Sequence, residues 1–511
     1  MSPVWWLLLW ACDGAPEQTS QNPAPQPPPG QPGRPGPPGG PGGGPGGGPG
    51  FKPEPHHLSP TFELLGAPSD APRSVVIISL DTTRADRLGV YGGRAETPTL
   101  TAFAQSGARF DAAFTHFPET CPAHWSMMSG VPPELHGNVA GNRGSLYTGP
   151  TFAEIAQRHG YATAAFIGGA TLQDVSCGFS RGFGTFDDQF AVDTDDMRRP
   201  AAEVTAAATT WMSAQTGPFF AFVHYFDAHF PYTPQAPWDT RYDPDYKGTL
   251  DGRDRSLDPY RRGEATPSPR DVEHILALYD GELSELDAAL APLLAAIPQD
   301  AVVIITADHG ESFEHDYWFN HRGGLWEPVI RVPLLIRGPG VPAASSVTAQ
   351  VGLIDVTPTA LALAGLPKDA RMMGQDLTPL TRGEGEGRAL IVSNTDPMMP
   401  DPQESARTPS LKRLERGGAV TVYDLSADPG ELKPLTGQAD ALAAERAAYE
   451  AAMTPLLAHQ GPPPKNAIVQ SPEERARLEA LGYLPKGPDA AVGPDGKNGP
   501  PGPPPGPPPK R

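Results

Sequence analysis

The sequence predicts an α/β fold: a doubly wound, mostly parallel sheet flanked by helices, with a small C-terminal subdomain. Three observations carry this. Short β-branched runs alternate with segments of helical spacing. Three of those runs end in acidic or histidine-containing residues. Between two Pro/Gly-rich ends lie roughly 420 residues of globular composition, enough for one large domain with a smaller C-terminal part.

The first strand is SVVIISLD, a buried run that ends at Asp81. TPTLTAFAQSGARF then has helical spacing with a glycine near its end. TFAEIAQRHG reads as a helix and YATAAFIGG as a strand. AAEVTAAATTWMSAQ is the next helix, and PFFAFVHYFD is a strand ending at Asp227. A long helix, DVEHILALYDGELSELDAALAPLLAAI, precedes the strand AVVIITADHG, which ends at Asp308 and His309. Ligands of open α/β sheets gather at the C-terminal ends of the strands. A lone Asp after a strand is ordinarily a turn or cap residue. Three of them, two with nearby histidines, suit a divalent metal such as zinc or manganese.

The ends of the chain are different. Proline (65) and glycine (57) together approach a quarter of the 511 residues, and they are concentrated there. Residues 13–70 are expected to form a disordered Pro/Gly-rich tether, and residues 486–511 a similar tail, because neither has enough apolar side chains to offset chain entropy. Glycine does not recur strictly every third residue, so collagen is excluded. Residues 71–340 are expected to form the catalytic core, and residues 341–485 its C-terminal part with the small subdomain. The helix pattern EERARLEALGYL at 473–484 is expected to pack on that core.

The opening MSPVWWLLLWACDG has a short apolar run ending in Leu-Trp-Ala-Cys. It reads as a lipoprotein-type signal peptide over residues 1–12, with Cys12 lipidated, although the n-region lacks Lys or Arg and Trp10 is bulky for its position. An exported, cell-envelope lipoprotein follows, attached to the inner or outer bacterial membrane by a lipid anchor and facing the periplasm or the surface. The formal net charge of −20 argues against a nucleic-acid partner. No stretch after residue 20 is long and apolar enough to span a bilayer. The remaining cysteines, Cys121 and Cys177, could pair in an exported protein, and sequence alone leaves that open.

The motifs LDTTRADRLGVYGG, PETCPAHWSMMSG, ITADHGESFEH and GLWEPVIRVPLLIRGPG, in this order, resemble those of the sulfatase family of the alkaline-phosphatase superfamily. GLIDVTPTALALAG and VYDLSADPGE extend the resemblance to about residue 435. It implies the sulfatase-like fold and a metal-dependent hydrolase of sulfate or phosphate esters, acting as a monomer on a small-molecule, glycan or lipid-head-group ester. Formylglycine members of the family carry Cys-x-Pro-x-Arg, followed by Thr-Gly. Alignment on Pro122 and Ser129-Gly130 puts Thr120, not Cys121, at the nucleophile position, with His124 in place of the arginine.

A threonine cannot become formylglycine, so phosphoester or phosphoryl-transfer chemistry is favoured over formylglycine chemistry. The alternatives are a conventional sulfuric ester hydrolase and a catalytically inactive surface-binding protein. By resemblance, Asp81, Asp308 and His309 would bind the metal together with Thr120. Imidazole in the set favours zinc or manganese, with calcium as the alternative. His124 would orient groups or transfer a proton. His229 and Arg322 would contact the substrate. One ion is expected; the alternative is a second ion, or substrate, at Asp227, His229 and His321. His136 and the loop from Phe313 to Asp316 receive structural readings.

Overall fold

The computed structural model of the protein describes residues 60–457 except 140–146, 191–197, 398 and 439. The expected signal peptide with Cys12, His56-His57, most of the tether, the 473–484 helix and the tail lie outside the described residues.

Nine strands form the main sheet. They are β1 (Val75–Leu80), β2 (Ala108–Phe114), β3 (Ala162–Phe166), β4 (Thr185–Asp187), β5 (Phe219–Tyr225), β6 (Val302–Thr306), β7 (Arg331–Arg337), β8 (Ser345–Val347) and β9 (Val351–Gly352). Their order is β8-β2-β7-β6-β1-β5-β3-β4, with β9 also beside β2. β1 lies parallel between β5 and β6, so three chain segments emerge side by side at one edge. β1 is fully buried, as a both-face-covered parallel strand must be. β7 runs antiparallel to both its neighbours, which makes the sheet mixed.

Helices cover both faces. They include α1 (Pro98–Gln105), α2 (Thr120–Ser129), α3 (Phe152–Arg158), α4 (Ala201–Ser213), α5 (Pro269–Ala296) and α6 (Val356–Ala364). α3 opens with a capping box between Thr151 and Glu154. α5 opens on the Ser268 cap. Two large apolar clusters, one on each face of the sheet, form the core.

Some elements differ from the sequence expectation. The GARF end of the predicted first helix belongs to β2, because Gly107 breaks the helix and Phe110 and Phe114 pack inward. The expected tether is already structured within its last residues: Leu64–Leu65 pairs antiparallel with Lys368–Asp369. The C-terminal part contains a four-stranded antiparallel sheet of β10 (Ile391–Asn394), β11 (Gln403–Arg407), β12 (Leu411–Arg416) and β13 (Ala419–Asp424), followed by α7 (Ala443–Leu457). Cys121 and Cys177 are disulfide-bonded across a sequence separation of 56. Closing a loop of that length stabilises a fold by about 4 kcal/mol in the chain-entropy account.

Candidate active site

The site lies where β1, β5 and β6 end. Asp81 follows β1, and Asp308-His309 follow β6. Thr120 is the first residue of the ten-residue helix α2, whose N-terminal N–H groups favour an anion. Asp81, Asp308 and His309 each offer a ligand atom, and these atoms all lie within 4.8 Å of one another. All three residues are fully buried, and Thr120 is 1% exposed.

Each ligand candidate is tied back on one side and open on the other. Asp81 Oδ2 accepts from His224 Nε2 at 3.0 Å, while its Oδ1 has no hydrogen-bond partner. Asp308 Oδ1 accepts from the Thr82 and His309 N–H groups at 3.1 and 2.9 Å, and its Oδ2 is left over. His309 Nδ1 donates to the Gly310 carbonyl at 3.0 Å, which leaves Nε2 as the lone-pair nitrogen. Thr120 Oγ1 also has no hydrogen-bond partner. Buried polar atoms left this way are costly unless something else satisfies them. Two carboxylates and an imidazole with fixed outer partners form a donor set that fits a divalent cation. Burial, and then the neighbouring Asp308 charge, raise the Asp81 carboxyl well above its usual range. A cation would reverse that penalty.

The backbone at the site is strained. Thr82 has φ 49°, an unusual value for a β-branched residue. Its carbonyl accepts from the Tyr279 hydroxyl at 2.6 Å, and that hydroxyl accepts from Arg84 N–H at 2.9 Å. α5 thereby holds the turn that aims Asp81 and presents the Thr82 N–H to Asp308.

The histidines divide into two groups. His124 is buried with both ring nitrogens engaged. Nδ1 donates to the Thr120 carbonyl at 2.6 Å, so Nε2 must accept from Ser79 Oγ at 2.8 Å. Burial depresses its pKa to about 3. This arrangement can orient Thr120, but it leaves neither nitrogen for the proton transfer that the sequence suggested. His309 stacks on His321 with ring centroids 4.1 Å apart, and His321 lies 5.6 Å from the His229 ring. His321 Nδ1 donates to the Pro118 carbonyl at 2.7 Å, and His229 Nδ1 to the Phe230 carbonyl at 2.6 Å. Burial lowers the His229 pKa to about 3, so both nitrogen-bearing rings face the site as neutral groups or nearly so.

Asp227 is turned elsewhere. Its Oδ1 accepts from the Ala201 N–H at the start of α4, at 3.1 Å. Among the described residues, Asp227, His229 and His321 do not form a second cluster like that of Asp81, Asp308 and His309. The reason is local: Asp227 serves as an anchor for the first turn of α4. Arg322 Nε lies 3.3 Å from Glu119, the residue before Thr120. His136 pairs with Ser126 Oγ at 2.9 Å, inside the core. The Phe313–Asp316 loop is part of a short hairpin: Phe313 is 2% exposed, and Glu314 pairs with Arg84 at 3.1 Å.

Sequence reasoning did not single out His224, Ser79 or Glu119. Ser79 and His224 are register partners on β1 and β5. Each is a polar interruption in a strand whose every residue is buried. That was the available signal, since a polar side chain inside a both-face-buried strand needs a buried partner.

Comparison with known proteins agrees with this geometry. The family model described as Sulfatase matches residues 73–366. The chain belongs to the sulfatase family. Arylsulfatase K of Canis lupus familiaris is 34% identical over 118 residues, covering 22% of this chain and 22% of that protein. The chain thus spans about a fifth of that relative's length in the matched stretch. Among solved structures, BT4656 in complex with its substrate D-glucosamine-2-N,6-O-disulfate superposes with TM-score 0.63 at 17% identity. That match covers 78% of this chain and all of the other. The phosphonate monoester hydrolase of Agrobacterium radiobacter superposes with TM-score 0.61 at 22% identity, covering 76% of this chain and 96% of that one. The protein is therefore a sulfatase-family member with the sulfatase-like fold.

Proposed function

We propose that this sulfatase-family member is a hydrolase that acts on phosphoesters, with Thr120 as the nucleophile. One observation carries the reading: two adjacent residues have opposite fates. Cys121 Sγ is bonded to Cys177, whereas the Thr120 hydroxyl carries no covalent bond and points to Asp81 in the buried cluster. A cysteine held in a disulfide is not a precursor of formylglycine. The hydroxyl next to it is the nucleophile that the site can offer.

Asp81, Asp308, His309 and Thr120 would hold one divalent ion, zinc or manganese in preference to calcium. Bound there, such an ion would supply Lewis-acid chemistry, lowering the pKa of the threonine hydroxyl and stabilising charge on the ester oxygens. The chain supplies the rest. The α2 N-terminus, His229, His321 and Arg322 bind and orient the transferred group. His124 fixes the Thr120 backbone. Thr120 Oγ, its proton lost to solvent, attacks phosphorus. The P–O bond to the ester alcohol breaks, and the departing alkoxide takes a proton from water. Water or an acceptor alcohol then attacks the phospho-threonine, cleaving its P–O bond and returning the proton to Thr120 Oγ. The phosphonate monoester hydrolase among the structural relatives supports phosphorus chemistry. The likeness to arylsulfatase K favours a second reading, sulfate ester hydrolysis at the same site. The intact donor set argues against an inactive binding protein.

The substrate is proposed to be a small-molecule, glycan or lipid-head-group ester, and the enzyme a monomer. The short apolar run before Cys12 supports an exported, lipid-anchored chain, and the disulfide supports an oxidising compartment. Radiolabelled palmitate incorporation that is lost in Cys12→Ala would establish the anchor.

The test is turnover of 4-nitrophenyl phosphate, bis(4-nitrophenyl) phosphate and 4-nitrophenyl sulfate by the purified protein, with metal analysis of the same sample. The expected result is faster turnover of a phosphorus ester, abolished by chelation, with about one ion per chain. Turnover of the sulfate alone would contradict the phosphoester assignment.

A further inference from the structure

The structure points to the Cys121–Cys177 disulfide as the device that positions the nucleophile. We infer that Thr120 performs its attack only from a helix start clamped by this bond, so that the oxidised enzyme is the active form. This inference rests on the reading of Thr120 as nucleophile.

The residues around Thr120 show why a clamp is needed. Thr120 stands at the first position of α2, where no preceding helical turn holds it. Pro122 follows two residues later and has no N–H to contribute. On the upstream side the chain is held by noncovalent contacts: Pro118 O accepts from His321 Nδ1, Phe117 O accepts from Thr115 Oγ1 at 3.0 Å, Glu119 pairs with Arg322 at 3.3 Å, and the Thr120 carbonyl accepts from His124 Nδ1. The Thr120 side chain is held only by its approach to the Asp81 carboxyl. On the downstream side the next residue, Cys121, is covalently tied to Cys177, the last residue of the short helix Asp174–Cys177.

That anchor is itself rigid. Both sulfurs are buried, with Cys121 3% and Cys177 0% exposed. Trp125 Nε1 donates to the Cys177 carbonyl at 3.2 Å, so α2 grips the same residue one turn later. Asn138 Nδ2 donates to Cys121 Sγ at 3.0 Å from a third segment. Asp174 is joined to the residue that follows β4: its N–H donates to Asp188 Oδ2 at 2.9 Å. The bond therefore links the nucleophile's neighbour to a segment that the sheet already fixes. A bond serving stability alone has no need of the position beside the nucleophile. At that position, a loss of register of about 1 Å costs on the order of a hundredfold in rate.

The experiment uses the metal-loaded full chain and measures kcat, KM and Tm for three forms, well below the unfolding temperature. One is the oxidised wild type. The second is wild type reduced with a water-soluble phosphine, which takes oxygen from water to become the phosphine oxide while the disulfide gains two electrons and two protons to give two thiols. Because the bond is buried, the third is the double variant Cys121→Ala/Cys177→Ala, with its fold checked by circular dichroism. Thr120→Ala is measured alongside.

The inference predicts a fall in kcat of about tenfold to a hundredfold in both bond-free forms. KM changes little, metal content is retained, and reoxidation of the reduced enzyme restores kcat. Unchanged kcat with only a lower Tm would overturn the inference and leave the nucleophile assignment standing, provided Thr120→Ala is inactive. Full activity of Thr120→Ala would remove that assignment and this inference with it. If the double variant does not fold, the reduced wild type decides.

Discussion

Two regions of this molecule bury charge, and they do so in opposite ways. In the C-terminal part, Lys412 and Glu431 have fully buried side chains that pair at 2.6 Å. Glu327 joins them, receiving Arg407 at 2.8 Å and donating its own N–H to Glu431 at 2.7 Å. Charge there is answered by charge, and the cluster locks the small sheet to the segment before β7. At the ends of β1 and β6, Asp81 and Asp308 are equally buried, yet among the described residues no Lys or Arg pairs with either; their ion-pair neighbours are histidines alone. The paired cluster accounts for itself as structure. The unpaired one is complete only with something the chain does not contain, and that difference, rather than burial, marks the functional site.

Substitutions should separate the two regions by what they damage. The largest effect belongs to the unpaired region. Thr120→Ala is expected to lower kcat/KM by at least about 10³-fold while Tm stays near wild type. Asp81→Asn should abolish activity to a similar degree and raise the Tm of the chelated protein, because it removes a carboxylate that burial and Asp308 both penalise. A fall in Tm of the chelated Asp81→Asn protein would break the comparison.

In the paired region the signs reverse. Lys412→Met leaves Glu431 buried without its cation, while Glu327 keeps Arg407, and is expected to cost about 3–5 kcal/mol of stability, read by urea unfolding. Its kcat below the unfolding temperature should match wild type.

Asp227 is an intermediate case that sharpens the contrast. Its Oδ1 is capped by Ala201 N–H, while Oδ2 has no hydrogen-bond partner, and burial raises its pKa from 3.8 to about 6. Between those values the folded chain holds a proton that the unfolded chain has released. Stability from this group therefore falls as pH rises from 3.8 to about 6, and the cost is fully present above that. Asp227→Asn should lessen this loss, measured as Tm at pH 4, 5, 6 and 7 against wild type. The smallest effect is expected at the surface. Arg262 pairs with Asp258 and Glu264 in solvent, and Arg262→Gln should leave Tm unchanged within error.

How far the sequence reached follows from the same physics. The strands ending at Asp81 and Asp308 were legible because uninterrupted β-branched runs are buried on both faces and end in an ionisable residue. The alternation of helix and strand gave the doubly wound sheet. The small sheet was not legible: β12 reads LKRLER, and its buried Lys412 and Arg413 disguise the period that a core strand would show. β7 lies inside the motif GLWEPVIRVPLLIRGPG, whose prolines hide the strand, and its antiparallel direction is set by partners far away in sequence. At the site, residue types and order put forward Asp81, Asp308 and His309, which the fold brings together. Side-chain direction was not readable, so Asp227 was grouped with His229 and His321 although it faces α4. The pairing of Cys121 with Cys177 depends on a Cα separation of 5.7 Å, which only the fold creates.

The most direct measurement is peptide mass spectrometry of the metal-loaded enzyme, quenched in acid during turnover of an aryl phosphate. The account predicts a phosphoryl adduct on Thr120, with Cys121 recovered in a disulfide with Cys177. A formylglycine residue at position 121, or an adduct on another residue with Thr120 unmodified, would contradict it.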